Sequence, residues 1–259
     1  MATAAVNGVR LRYDETGAGP ALLLSHGFGA TGRMWDGERR FLGDRFRTIA
    51  WDMRGHGDTE SPDDPAQYSA DLTVADMRGL LLHLGVQRAV IGGLSLGGYV
   101  SLAFHAQHPA MTRALVLCDT GPGYRNPEAR AGWNERAFRR AGELETRGLE
   151  VLSGSSREMR DAVSHHRSAQ WLAHAARGML AQDGPRVIDS LPSIRVPTLI
   201  IVGDQDEPFL APSRYMAGKI PGARLEIIKG AGHSSNLDQP EAFDRVLGDF
   251  LGSLPPERA

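Results

Sequence analysis

The 259-residue chain has a single cysteine, Cys118, so it can form no internal disulfide and its fold does not rely on an oxidising compartment. It also lacks an excess of either charge. A formal net charge of −2 removes the electrostatic footprint expected of a nucleic-acid or anionic-membrane partner. No run approaches the ~18 apolar residues that a membrane span requires. The opening stretch MATAAVNGVRLRYDE has neither the basic region nor the apolar region of a secretory signal. Repeats and low-complexity tracts are absent too. The expectation left standing is a soluble cytoplasmic protein with a substantial core, and its length suits one large α/β domain as well as two small ones. The same features are compatible with a homo-oligomer.

Short apolar runs recur, nearly all ending in or running straight into glycine, aspartate or serine: VRLRY (9–13), ALLLS (21–25), FRTIAW (46–51), AVIGGL (89–94), ALVLC (114–118), TLIIV (198–202) and RLEII (224–228). Runs of this length without clean alternation predict strands buried on both faces. Helix-like stretches lie between most of them, at 71–84, 96–107, 211–219 and 240–251, and the alternation predicts a mostly parallel sheet. Asn7-Gly8 between two short runs predicts an antiparallel hairpin ahead of the parallel part. Residues 121–190 hold no strand-like run, and a structureless loop of that length is unusual inside a compact domain. They read as a helical cap inserted into a core made of 1–120 and 191–259, with breaks near Ser153-Gly154 and Asp183-Gly184-Pro185.

The stretch GGLSLGGYV (92–100) raises the question of chemistry. Gly93-Leu94-Ser95-Leu96-Gly97 fits G-x-S-x-G, a weak motif alone. Here a buried strand runs into it and a helix of small and apolar residues leaves it, the setting of a nucleophile elbow. Glycines two before and two after the serine leave room for neighbouring backbone, and the helix start aims N–H groups at negative charge developing beside Ser95.

Serine needs a positioned base. His165, His166 and His174 lie in the polar insertion and read as solvated, while His83, His105 and His108 sit on helices or at their ends. His233, in the glycine-flanked loop GAGHSS after the last strand, is the candidate base. For the orienting carboxylate, Asp204 and Asp206 in GDQDEP and Asp119 after ALVLC all lie beyond strand ends; depth in its loop favours Asp206.

Serine, acid and histidine in that chain order match the α/β-hydrolase arrangement, and the resemblance extends over nearly the whole chain. SHGFG (25–29) resembles the family's HGxG loop, which implies an oxyanion hole from the backbone N–H groups of Phe28 and Leu96. WDMRGHGDT (51–59) is similar to the D-x-R-G-x-G-x-S segment, with threonine in the last place; that segment is structural, so Asp52 and His56 receive no catalytic role. GDQDEP matches the family's G-x-x-D, whose last aspartate is the acid, which implies Asp206. GAGHSSNLDQPEAF resembles the family's tail, with Asp238 where glutamate is commoner. The implied fold is an eight-stranded, mostly parallel sheet with an N-terminal antiparallel hairpin, helices on both faces and a helical cap.

A rival reading comes from Gly27-Phe28-Gly29-Ala30-Thr31-Gly32, a G-x-G-x-x-G after a strand with Asp52 about 20 residues on, as in a dinucleotide-binding oxidoreductase. His26 before it, Arg54-Gly55-His56-Gly57 straight after Asp52, and the opening hairpin all count against that reading. A non-catalytic binding or receptor module is a third possibility, disfavoured by three candidate groups kept together.

Serine at the elbow, rather than aspartate, sets the chain apart from haloalkane dehalogenase and epoxide hydrolase relatives. Leu94, where C–C bond hydrolases carry asparagine, sets it apart from those. GLSxGG and LVLCDT resemble 3-oxoadipate enol-lactonases and small carboxylesterases. The resemblance implies Ser95, Asp206 and His233 hydrolysing a carboxylic ester through an acyl-enzyme, with no metal and no cofactor. An enol-lactonase acting on a small carboxylate-bearing lactone is the alternative. Arg125, Arg130, Arg136, Arg139 and Arg140 read first as a solvated helix face and second as receptors for such a carboxylate. Trp35, Trp133, Trp171 and Met179 are the candidate pocket residues, each with ordinary packing as the competing explanation.

Overall fold

The structure, a computed structural model, describes residues 2–256. Strands β1 (Ala2–Val6) and β2 (Val9–Thr16) form a hairpin whose turn, Asn7 and Gly8, takes φ of 45° and 79°, as a tight primed turn demands. There follow β3 (Ala21–Ser25), α1 (Asp36–Leu42), β4 (Arg47–Trp51), α2 (Ala70–His83), β5 (Ala89–Leu94), α3 (Leu96–Gln107) and β6 (Thr112–Cys118). The helices α4 (Pro127–Arg147), α5 (Arg157–Ala162), α6 (Ala169–Ala175) and α7 (Arg186–Ser190) come next. The sheet is then completed by β7 (Thr198–Gly203) and β8 (Arg224–Ile228), with α8 (Glu207–Lys219) between them and α9 (Ser235–Asp238) and α10 (Pro240–Gly252) after them.

The eight strands lie in the order β1-β2-β4-β3-β5-β6-β7-β8. β2 pairs antiparallel with both β1 and β4, and every later pairing is parallel. Alternate residues of the central strands serve different layers. Leu23, Ile91 and Leu115 pack under α2 and α3, while Leu22, Leu24, Val90 and Val116 pack on Leu42 of α1 and on Phe243, Leu247 and Phe250 of α10. The apolar positions of α10 recur at helical spacing, so one face of that helix covers the sheet.

Three helix starts follow from their capping residues. Ser69 accepts the Leu72 N–H, Asn126 accepts those of Glu128 and Ala129 ahead of Pro127, and Ser168 accepts that of Trp171. α8 begins at Glu207, earlier than the sequence suggests. Pro208 sits in its first turn, where no intrahelical N–H is needed. β8 departs from the two-faced burial expected of it: at the sheet edge, with β7 as its one partner, it leaves Ile227 42% exposed. No described helix is long and apolar enough to cross a membrane.

The RGHG stretch is explained by an ion pair under the hairpin. Arg54 and Asp76, 1% and 0% exposed, meet through Nε–Oδ2 at 2.5 Å and Nη2–Oδ1 at 2.9 Å. Asn7 donates to Asp76 Oδ1, and its carbonyl accepts from Arg54. The pair therefore joins the β1–β2 turn, the loop after β4 and α2. Arg54→Met leaves the Asp76 carboxylate buried without its cation, and urea unfolding should show a loss of about 3–5 kcal/mol. The double variant Arg54→Met/Asp76→Leu should recover most of it. A loss below about 1 kcal/mol in the single variant would show that the buried charge finds another partner.

Candidate active site

Ser95 stands between β5 and α3 at φ 54°, ψ −115°, a conformation that side chains with a Cβ rarely adopt. The glycines around it explain how the chain reaches this turn. A Cβ on Gly93 would meet Gly97 C at 2.5 Å and Ser25 O at 2.6 Å, one on Gly97 would meet Ser25 O at 2.2 Å, and one on Gly98 would strike the Thr120 side chain at 2.5 Å. β3, β5 and α3 thus come together through bare backbone, with the serine raised above the sheet. The Ser95 N–H donates to Cys118 O at 2.9 Å, and Thr120 Oγ1 donates to Ser95 O at 2.6 Å. Among the described residues its Oγ takes part in no hydrogen bond.

The loop after β3 is built just as tightly. His26 Nδ1–H donates to Gly27 O (2.7 Å) and its Nε2 accepts the Met53 N–H (2.9 Å), so its partners specify a neutral ring, and burial pulls its pKa down to about 3. Neither the Phe28 N–H of this loop nor the first-turn N–H of Leu96 has an acceptor among the described residues. Asp52 faces inward at 2% exposure, accepting Gly32 N–H on Oδ1 and Asp58 N–H on Oδ2. It holds the two loops together and offers nothing to a ribose, so the G-x-G-x-x-G stretch has a structural explanation. Among the described residues, no group of His, Cys, Asp and Glu is arranged to hold a metal ion.

Beyond β7 and β8 the three candidate acids separate by what they touch. Asp204 Oδ1 accepts the Gly230 N–H, and Asp119 accepts Gly203 N–H together with the Ser235 N–H and hydroxyl. Burial pushes the Asp119 carboxyl up to about 7. Asp206, 4% exposed, has Oδ2 at 2.8 Å from His233 Nδ1. Burial favours the neutral imidazole, but the Asp206 hydrogen bond and the charges of Asp206, Glu158 and Asp119 outweigh it, and the His233 pKa lies above its ordinary value. The Phe209 ring stacks on His233 at 4.8 Å.

Ser95 opens on a cavity of about 280 Å³ lined by Tyr99, Tyr124, Trp133, Leu180, Gln182 and Phe209. A continuous lobe of about 230 Å³ adds Phe28, Glu158, Met159 and His233. A larger depression of about 650 Å³, around Gly19, Arg47 and Pro255, lies away from all of these groups.

A model of the "Alpha/beta hydrolase family" matches residues 22–246. The chain belongs to that family. The hydrolase is 29% identical, over 96% of its length and 97% of the other's, to a Bacillus subtilis protein provisionally named 2-succinyl-6-hydroxy-2,4-cyclohexadiene-1-carboxylate synthase. The enol-lactonase from Burkholderia xenovorans LB400 superposes with a TM-score of 0.84 at 29% identity, covering 97% of this chain and 100% of that one. A thermophilic esterase from Thermogutta terrifontis superposes with a TM-score of 0.85 at 29% identity, covering 98% of both chains.

The candidate pocket residues are not all brought together in the hydrolase. Trp133 lines both lobes, held by its Nε1–H on Leu180 O at 2.8 Å, across a π-helical turn that follows α6. Trp35 does not: it is fully buried on the opposite face of the sheet against Phe243. Trp171 faces the outer side of the insertion, where its Nε1–H donates to Asp63 Oδ1. Met179 is fully buried in the core, and its neighbour Leu180 lines the cavity instead. His166 and His174, expected in solvent, are each only 8% exposed. His166 Nε2–H donates to Gly29 O at 2.8 Å and Nδ1 accepts Gly57 N–H at 3.1 Å, so it ties the insertion to the loops beneath. Among the arginines, Arg125 pairs with Asp189 and Arg140 with Glu143. Arg136 lines both lobes and makes no ion pair or hydrogen bond among the described residues.

Tyr99 and Phe209 escaped the sequence reading. Each had a signal: Tyr99 lies one helical turn beyond Ser95, and Phe209 one turn beyond Asp206. For Glu158, distant in sequence from every motif, there was none.

Proposed function

We propose that this hydrolase cleaves a carboxylic ester of a small substrate through an acyl-enzyme on Ser95. The observation that carries the reading is the 2.8 Å contact of His233 Nδ1 with Asp206 Oδ2, in a cavity that His233 shares with Ser95. Asp206 holds the proton on Nδ1, which leaves Nε2 free to accept the Ser95 hydroxyl proton as Oγ attacks the carbonyl carbon. The oxyanion forms against the Phe28 and Leu96 N–H groups, each worth about 3 kcal/mol in the transition state. Collapse breaks the C–O bond, and the imidazolium hands its proton to the departing alcohol. Water then repeats the attack, releasing the acid and restoring the serine.

The esterase and enol-lactonase relatives support this class of reaction. A second reading, a carboxylate-bearing lactone, is favoured by one observation: Arg136 lines the cavity that holds Ser95 and has no ion-pair partner among the described residues. The test is to treat the protein with a fluorophosphonate and to assay p-nitrophenyl acetate, butyrate and laurate beside an anionic enol-lactone. The adduct mass should map to the peptide bearing Ser95, and the short esters should turn over roughly tenfold or more faster than laurate, because the cavity is small. No adduct and no turnover would sink both readings. Faster lactone turnover, lost in Arg136→Ala, would select the second.

A further inference from the structure

Glu158, on α5, is 2% exposed, yet no cation pairs with it among the described residues. A carboxylate withdrawn from water without an ionic partner is costly to keep. Its bonds come from hydroxyls: Ser156 donates to Oε1 and Ser234 to Oε2, and the Glu158 N–H donates back to Ser234 Oγ at 3.4 Å. Ser234 directly follows His233 in the chain. A second tie runs alongside, since Arg157 Nη1 donates to Leu237 O at 2.6 Å and lies 3.8 Å from Asp238, whose Oδ2 accepts the Gly232 N–H. The same helix places Met159 where a Cβ on Gly29 would meet it at 3.1 Å, so α5 touches both the His233 loop and the Phe28 loop.

From this geometry we infer that Glu158 is a positioning residue for His233: it clamps the histidine loop through Ser234 and sets a second negative charge beside the imidazole when the insertion is seated. The inference rests on His233 being the base, and it goes beyond that role by making the base depend on the insertion. The other groups facing the imidazole are Asp206 at the start of α8, Asp119 at the end of β6 and the Phe209 ring. Arg136 and Arg140 of α4 line the same lobe and act in the opposite sense. Above its pKa the resting imidazole is neutral and becomes an imidazolium as Ser95 gives up its proton, so in that range a negative charge here favours the transition state more than the resting enzyme.

The experiment follows the His233 imidazole by NMR through a pH titration in wild type, Glu158→Gln and Glu158→Asp. The resonance is assigned by its loss in His233→Gln, and kcat/KM is measured against pH for the same proteins. In Glu158→Gln the midpoint should fall, and the variant should keep roughly threefold more of its own optimal rate at pH 6 than wild type does. Glu158→Asp, which keeps the charge but draws it back, should lie between the two. It carries the test alone if the glutamine variant does not fold. A midpoint unmoved in both variants overturns the inference even where rates drop, because a merely structural clamp would lower rates without moving the titration. If the NMR midpoint moves while wild type hydrolyses no ester or lactone, the coupling stands and the hydrolytic reading fails.

Discussion

Ser95→Ala should lower kcat/KM toward short esters by on the order of 10⁵-fold while leaving the melting temperature where it was. Both halves of that expectation come from the elbow. The hydroxyl forms no hydrogen bond to the protein among the described residues, so removing it leaves no partner stranded. The strain at φ 54° belongs to the Cβ, which alanine keeps. Ser95→Gly should be just as inactive but more stable by about 1 kcal/mol, since it alone relieves the backbone. Kinetics on short esters with calorimetry on all three proteins checks the pair of effects. A variant lacking the hydroxyl that still forms a stoichiometric acyl adduct would move the nucleophile elsewhere. Stability gained at the expense of activity, in one position, is the signature of a residue held in place for chemistry.

How much of this was legible beforehand depended on whether the cause was local. β3, β5 and β8 have the bounds of the runs ALLLS, AVIGGL and RLEII, because short apolar runs between turn residues leave little freedom in where a strand begins. The glycines of GGLSLGG were readable as tight approach, and the atoms they make room for belong to β3 and α3. The RGHG loop was recognisable as structural, but its ion pair with Asp76 was not, since that contact depends on how α2 lies beneath the hairpin. The pocket was the least legible part. Trp35, Trp133 and Trp171 look alike in sequence, yet they face the far core, the cavity and the outer surface respectively. What separates them is the seating of the insertion, and that is settled by contacts such as His166 on Gly29 O and Ser234 on Glu158, which join positions more than seventy residues apart. His166 read as solvated for the same reason: a histidine among polar neighbours in sequence can still be buried by another segment.

Asp206→Asn should cost about 10⁴-fold in kcat with little change in KM, an effect second only to loss of the serine. The amide is nearly isosteric, so the Nδ1 contact can persist. It persists in two ways, though, and both are poor: the amide oxygen can accept the Nδ1 proton without stabilising the cation, or the amide NH₂ can donate to Nδ1 and force the proton to Nε2, where the base is needed. The pH profile separates this from simple misfolding. As the proposed base His233 works only when neutral, so activity should fall as pH drops through its pKa, and in wild type that limb should lie above the ordinary imidazole value. Without the Asp206 hydrogen bond and charge, burial is left opposed only by Glu158 and Asp119, and the residual activity should show its acid limb at lower pH. Asp119→Asn is the matching control. Its carboxyl, pushed up to about 7 by burial, bonds to Gly203 and Ser235 and not to the imidazole. If Asp119→Asn lost the 10⁴-fold and Asp206→Asn kept most of its rate, the acid would be the one at the end of β6, and the His233 loop would have to turn toward it during catalysis.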